Sequence, residues 1–339
     1  MLRSDEFDCA VAEALASGGI EIKRLVAQAE ELTDAYAQAC RASEPANHLV
    51  REFEGGKSTF AERVRQHVTD RADVLSTFNI AFFGRTGAGK STLLSAFGQL
   101  DGSGVSPGES DWTTTVQTID WHGCRLYDTP GINGWGGRKS RDELEALARR
   151  AVEVADVVLL CFDSQSQQAS EFAKVADWVR HYGKPTIAVL NIRNLRWRHP
   201  AKMPNPVARQ HISMPVRQNR DNIRSELSNI GLPDTPVVAV HNRRTLFARA
   251  TPPYRGPAEP DFLSDRKQFG VAYLAQWSNF GVLESLLTAV ITCGGSQLRL
   301  TSLREGMRAI VRDEATNLES LHRRLSERAD DIDRPHRGT

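Results

Sequence analysis

The sequence predicts an α/β fold, a three-layer arrangement with a central sheet covered by helices on both faces. Further helices are predicted before and after it. Three observations lead there. The runs Ile80–Phe83, Asp156–Phe162, Pro185–Leu190 and Pro236–Val240 are nearly continuous in apolar residues, as strands buried on both faces are. Stretches of three- and four-residue apolar spacing separate them, including about 141–154, 168–181 and 217–229. The same helical spacing fills residues 1–76 and returns from about Leu298.

The first strand leads into the most informative stretch. Ile80–Phe83 breaks at Gly84, and a helical pattern begins at Ser91 with Leu93, Leu94 and Phe97 on one face. Between them lies Gly84-Arg85-Thr86-Gly87-Ala88-Gly89-Lys90-Ser91-Thr92, a phosphate-binding loop pattern in its strand–loop–helix setting. Glycines let backbone N–H groups converge on a phosphate, and the helix N-terminus adds the positive end of its dipole. Lys90 is placed to reach the β- and γ-phosphates, and the Ser91 hydroxyl to ligate Mg²⁺. A nucleoside triphosphate is the ligand that this stretch implies. Gly55-Gly56-Lys57-Ser58-Thr59 imitates the pattern, but Arg51 stands at its first glycine and no strand precedes it. Thr59-Phe60-Ala61-Glu62 reads instead as a capping box opening a helix to about Val74.

Downstream, a polar stretch from Asp101 to Asp111 runs into an alternating strand, Trp112–Trp121, and a turn at His122-Gly123. The returning strand, from Cys124, ends in Asp128-Thr129-Pro130-Gly131. An Asp-x-x-Gly delivered by a hairpin after a phosphate loop is a specific arrangement. Asp128 is placed to hold Mg²⁺ through water, and the Gly131 N–H to sense the γ-phosphate. One of Thr113, Thr114 and Thr115 would close over the metal from the other side, with Thr114 favoured as metal ligand and catalytic partner of Lys90.

These residues carry a resemblance. The loop 84–91, the threonine cluster and Asp128–Gly131 resemble the first three motifs of a translation-factor-class P-loop GTPase, nearest to the Era, septin, immunity-associated and dynamin-like group. The resemblance covers about residues 77–294. It implies a GTPase (G) domain with a six-stranded, mostly parallel sheet carrying one antiparallel strand. It also implies GTP and GDP as ligands, Mg²⁺ as cofactor, and attack of water on the γ-phosphate. Residues 1–76 form a separate helical region in this reading, 295–330 a C-terminal helix, and 331–339 a disordered tail. Dynamin-like proteins flank their G domain with helices from both chain ends, which suggests that the N- and C-terminal helices here form a bundle.

The pattern also departs from the family. The base-reading motif Asn-Lys-x-Asp corresponds to Asn191-Ile192-Arg193-Asn194. Asn194 offers one carbonyl acceptor where a carboxylate takes two hydrogen bonds from guanine. Guanine selectivity through a degenerate motif, xanthine or relaxed specificity, and rescue by Asp221 or a backbone group all fit this residue. The fifth motif corresponds to Val240-His241-Asn242, which adds His241 and Asn242 to the base site. Ile132 follows Gly131 and cannot orient a water, so intrinsic turnover should be slow and completed by a second copy or a partner. Arg85 suits either a finger across such a dimer or an exposed salt bridge.

Balanced composition, with net charge +1, excludes a globally basic nucleic-acid binder. Five scattered cysteines without a C-x-x-C exclude a zinc ribbon and suit a reducing compartment. The acidic N-terminus lacks a signal-peptide core, and a cytoplasmic location follows as the expectation. Residues 193–220 interleave seven basic residues with Trp197, a pattern that suits a solvated lid over the base better than an RNA or lipid surface. The proline-rich stretch 250–262 reads as a linker or partner loop.

Overall fold

The structure, a computed structural model, describes residues 4–41, 59–85, 87–105, 117–129, 141–163, 172–193 and 206–333. Two compact units emerge. One comprises residues 1–15 with 77–302, the other residues 16–76 with 303–339.

The first unit is built on six strands: β1 Phe78–Gly84, β2 Gln117–Trp121, β3 Cys124–Asp128, β4 Val157–Asp163, β5 Thr186–Asn191 and β6 Val237–Val240. Their order is β2-β3-β1-β4-β5-β6. Only β2 runs antiparallel, paired to β3 with Trp121 opposite Cys124 at the turn. The other neighbours are parallel, so the C-terminal ends of β1, β3, β4 and β5 share one edge of the sheet. In open parallel sheets that edge is where ligands bind.

Side chains alternate along β1 and divide the core in two. Ile80 and Phe82 pack on one face with Leu93 and Phe97 of α4 (Lys90–Phe97). Phe7, Val11 and Ala14 of α1 (Ser4–Arg41) join that layer, as do Leu283, Leu287 and Ile291 of a long C-terminal helix. Ala81 and Phe83 face the opposite layer, with Ala148 and Val152 of α5 (Arg141–Val154) and Val175 and Val179 of α6 (Ala173–His181). Ile223 and Leu227 of α7 (Pro206–Asn229) complete it. Burying a side chain of this size contributes about 1.5–3 kcal/mol, so these two layers dominate the stability of the unit. The expected α/β sandwich with a mostly parallel six-stranded sheet is the fold observed.

The second unit contains α1 beyond Leu15, α2 (Phe60–Asp70), α3 (Ala72–Leu75) and the C-terminal helix beyond Ser302. Ala29, Ala61, Val64 and Met307 form its small core, edged by Leu25, Val26, Phe60 and Ile310. Glu21 accepts from Arg304 at 3.0 Å, and Glu30 from Arg65 at 2.6 Å. The capping box forms as expected: Thr59 Oγ1 accepts the Glu62 N–H at 3.2 Å, and Glu62 accepts the Thr59 N–H at 2.7 Å.

Several expected boundaries move. Ser17-Gly18-Gly19 reads as a break between helices, yet α1 continues through it. Mid-helix glycine costs only about 1 kcal/mol, and buried residues on both sides outweigh that. The helix expected over 59–74 is divided at Arg71 into α2 and α3. α7 starts at Pro206 rather than 217 and accommodates Pro215, held by packing of Val216 and Ile223. The C-terminal helix expected over 295–330 starts earlier, at Phe280, and runs to Asp333. That helix takes in Asp331–Asp333 of the expected disordered tail, whose remainder, 334–339, lies outside the described residues.

The stretch 250–262 is not a free linker. Tyr254 is buried, stacks on Phe262 with centroids 4.3 Å apart, and donates to Pro257 O at 2.9 Å. It lies within a helical segment with no counterpart in the sequence reading: α8 (Asn242–Arg249), α9 (Glu259–Phe269) and α10 (Val271–Ser278), which makes the C-terminal helix α11. Arg266 closes the end of α8 by donating to the carbonyls of Phe247, Ala248 and Ala250. The spacing of Phe262, Phe269, Tyr273 and Trp277 is a helical signal that the reading of this stretch as a linker missed. No helix among the described residues is long and apolar enough to cross a membrane.

Candidate functional site

The site gathers where β1, β3, β5 and β6 end. β1 stops at Gly84, whose position admits nothing larger. A Cβ there would lie 2.6 Å from the backbone oxygen of Cys161 on β4. The chain then turns through Gly87 (φ +82°) and Gly89 (φ +91°), left-handed conformations that favour glycine. Gly89 is the N-cap of α4 and has no side chain to bond the first turn, which leaves those N–H groups for a ligand.

Lys90 lies back over this turn. Its Nζ donates to Gly84 O at 2.9 Å and Arg85 O at 3.2 Å. Burial pulls its pKa below the ordinary lysine range, against the opposing pull of Asp128 and Cys161. Next to it, the Ser91 hydroxyl donates to Asp128 Oδ2 at 2.7 Å. Asp128, fully buried at the end of β3, is pushed above the usual carboxylate range by that burial, with Lys90 and Ser91 pulling it back. Its Oδ1 is buried with no hydrogen-bond partner. A buried carboxylate oxygen without a donor, beside a serine hydroxyl at a helix N-terminus, fits a hard divalent cation or its water. Mg²⁺ is commonly held by one or two carboxylates, its remaining positions filled by water and phosphate. Thr129 reaches the strand itself, donating from Oγ1 to Phe82 O at 2.6 Å.

Two asparagines from neighbouring strand ends fasten the loop from behind. Asn191, the last residue of β5, donates through Nδ2 to Ala88 O at 3.1 Å. Asn242, the first residue of α8, donates through Nδ2 to Gly89 O at 3.1 Å. The pair is joined by the Asn242 N–H, 3.4 Å from Asn191 Oδ1. A Cβ on Gly89 would lie 2.5 Å and 2.8 Å from these two amide nitrogens. Consecutive carbonyls of the loop are thereby drawn backwards. Arg193 donates to Gly87 O and pairs with Asp163 at 3.3 Å, so it braces the loop as well.

A cavity of about 300 Å³ opens beside this framework, lined by Thr92, Asn191, Ile192, Arg193, His241, Asn242 and Arg243. His241 is buried and caps α8, its Nδ1 accepting the Arg244 N–H at 3.3 Å. The structure thus brings together Gly84, Arg85, Gly87, Ala88, Gly89, Lys90, Ser91, Thr92, Asp128, Asn191, Arg193, His241 and Asn242. Thr86, Thr113–Thr115, Gly131, Ile132 and Asn194 lie outside the described residues. Arg85 is exposed, as a residue at the mouth of the loop would be.

Comparison with known proteins agrees with this geometry. Residues 79–192 match the 50S ribosome-binding GTPase family. Over these residues the chain is similar to P-loop GTPase domains. The tRNA modification GTPase MnmE of Campylobacter jejuni is 30% identical over 129 residues, 36% of this chain and 28% of that protein. The GTPase Der of a Bradyrhizobium strain is 29% identical over 144 residues, 40% of this chain and 31% of that protein. The chain therefore matches less than a third of the length of either relative. Among solved structures, the bacterial dynamin GTPase LeoA superposes over 94% of this chain and 53% of its own, with 15% identity and a TM-score of 0.45.

Proposed function

We propose that this protein binds GTP with Mg²⁺ and hydrolyses it slowly to GDP and phosphate, using the bound state to control association with a second copy or a partner. The observation that carries the reading is the Lys90–Gly84–Arg85 and Ser91–Asp128 arrangement at the N-terminus of α4. Lys90 and Asp128 are both shifted towards their neutral forms by burial. A triphosphate adds negative charge that favours the protonated form of the buried lysine, and Lys90 exchanges its two carbonyl contacts for phosphate oxygens. The loop N–H groups and the first turn of α4 act as fixed donors to charge developing on the γ-phosphate.

The metal would be held by Ser91 and Thr114, with Asp128 behind a water, and it supplies charge neutralisation at the β- and γ-phosphate oxygens. Gly131 supplies the γ-phosphate contact in this reading, and Asn191, Arg193, Asn194, His241 and Asn242 surround the base. Ile132 favours completion of the water-activating machinery by another polypeptide, Arg85 of a second copy being one candidate. The same residue favours a second reading, a nucleotide-gated scaffold with negligible hydrolysis. ATP and XTP remain the alternative ligands that Asn194 keeps open, and RNA or an anionic membrane surface is a less favoured partner.

Phosphate release measured across protein concentration tests the enzyme reading. Specific activity that rises with concentration supports self-completed catalysis. Flat turnover at background supports the scaffold.

A further inference from the structure

Thr129 makes two bonds to one carbonyl at the point where β3 leaves the sheet. Its Oγ1 donates to Phe82 O at 2.6 Å, and its backbone N–H reaches the same oxygen at 3.3 Å. The residue is fully buried, as is Asp128 before it. The pairing of β3 with β1 ends at Asp128, which lies opposite Phe82, and its pairing with β2 ends at the same residue, opposite Gln117. Thr129 therefore follows directly on the carboxylate that faces Ser91.

The sequence explains why the ladder stops here. Pro130 has no N–H, so Thr129 carries the last backbone donor of the run, and a residue before proline is held to extended conformations. N–H···O bonds span about 2.7–3.2 Å and O–H···O bonds about 2.5–3.0 Å. At 3.3 Å the backbone bond lies past its range, while at 2.6 Å the hydroxyl bond lies near the short end of its own. The side chain thus carries the anchorage that the backbone no longer gives. Valine has the same shape without the donor, and would leave Phe82 O to the stretched N–H alone.

The consequence falls on Asp128. Its Oδ2 accepts from Ser91 at 2.7 Å, and its Oδ1 has no hydrogen-bond partner. Once Asp128 acts through water, as the metal reading requires, it gives up the direct bond to Ser91, and the strand end alone keeps the carboxylate in place. We infer that Thr129 is a positioning residue for the metal site: its hydroxyl, bonded to Phe82 O, sets where Asp128 stands at the end of β3 and so how well Mg²⁺ is held beside a bound nucleotide. The inference rests on the GTP and Mg²⁺ reading above. It is distinct from a packing role, which would rest on the methyl group that valine keeps and serine lacks.

The test is equilibrium binding of a fluorescent, non-hydrolysable GTP analogue to wild type, Thr129→Val and Thr129→Ser, in EDTA and across Mg²⁺ concentration. In EDTA the three proteins should bind alike, because the hydroxyl acts through Asp128. Mg²⁺ should tighten binding by wild type and Thr129→Ser at similar concentrations. Thr129→Val should need about fivefold or more Mg²⁺ for the same effect, the worth of one hydrogen bond. An equal Mg²⁺ requirement in Thr129→Val and wild type, or a loss in Thr129→Ser as large as that in Thr129→Val, overturns the inference and leaves the nucleotide site standing. Binding lost by Thr129→Val in EDTA as well would show that Thr129 serves the loop or the fold rather than the metal, and overturns it too. Failure of wild type to bind the analogue, or to respond to Mg²⁺, overturns the GTP and Mg²⁺ reading itself, and this inference with it.

Discussion

Gly89→Ala probes the framework on which the site depends. A methyl group at this position meets Asn191 Nδ2 at 2.5 Å and Asn242 Nδ2 at 2.8 Å, while the backbone stays in a left-handed conformation at φ +91°. Holding a non-glycine residue there costs about 1–2 kcal/mol. Moving both amides away breaks the bonds to Ala88 O and Gly89 O and strands two buried donors, at about 1–3 kcal/mol each. The loop escapes part of this by relaxing, which spoils the convergence of its N–H groups instead. The first route lowers folding stability by about 3 kcal/mol or more, and the second lowers affinity, by roughly 100-fold if about 3 kcal/mol of phosphate contacts are lost. Titration of a fluorescent guanine nucleotide measures the affinity, and urea unfolding of the nucleotide-free protein separates it from global stability. Affinity within threefold of wild type, with the fold intact, would refute the argument that the two asparagines hold the loop in its binding conformation.

Other predictions concern the scaffold. Arg299 and Asp156 form a buried ion pair at 3.1 Å, with Asp156 also accepting the Asn79 N–H at 2.8 Å. Arg299→Met should therefore lower unfolding stability by about 3–5 kcal/mol, and Asp156→Asn in the same chain should recover part of it. A loss below 1 kcal/mol would mean that the pair is not buried in solution. Burial raises the Tyr254 hydroxyl from 10.0 to about 12. Because the folded value lies above the unfolded one, its contribution to stability is complete below pH 10 and declines as pH rises towards 12. Absorbance titration should show a late-ionising phenol that Tyr254→Phe removes; a titration finished by pH 11 would count against its burial. Thr59→Ala should destabilise the helical unit by about 1 kcal/mol through loss of the cap, read as a lower denaturation midpoint. An unchanged midpoint would show that the capping box contributes nothing there.

What the sequence disclosed, and what it concealed, follows from the range of the interactions involved. The phosphate loop was legible because its requirements are consecutive: a strand end, glycines at fixed spacing, then a lysine and a hydroxyl at a helix start. The strands were legible because burial on both faces forces nearly continuous apolar runs such as Val157–Phe162. Helix continuity was not, since Gly18 and Gly19 carry a local penalty that packing many residues away overrides. The end of helix α8 escaped because its anchor, Arg266 on the carbonyls of Phe247, Ala248 and Ala250, has no local signature, and the aromatic spacing within α9 and α10 was masked by the proline-rich stretch before it. Arg193 was legible as a base-site residue by its place in a motif, and its bracing of Gly87 and Asp163 appears only when β4 and β5 lie side by side. The joint hold of Asn191 and Asn242 on the loop depends likewise on β5 and β6 being neighbours, which no spacing in the sequence encodes.

The most direct test of the central claim is equilibrium binding of GTP, XTP and ATP in the presence of Mg²⁺, with Lys90→Ala as the control. The account predicts GTP binding that is tighter than that of XTP or ATP and is lost in Lys90→Ala. Preference for XTP or ATP, equal binding by the variant, or no binding by the wild type would contradict it.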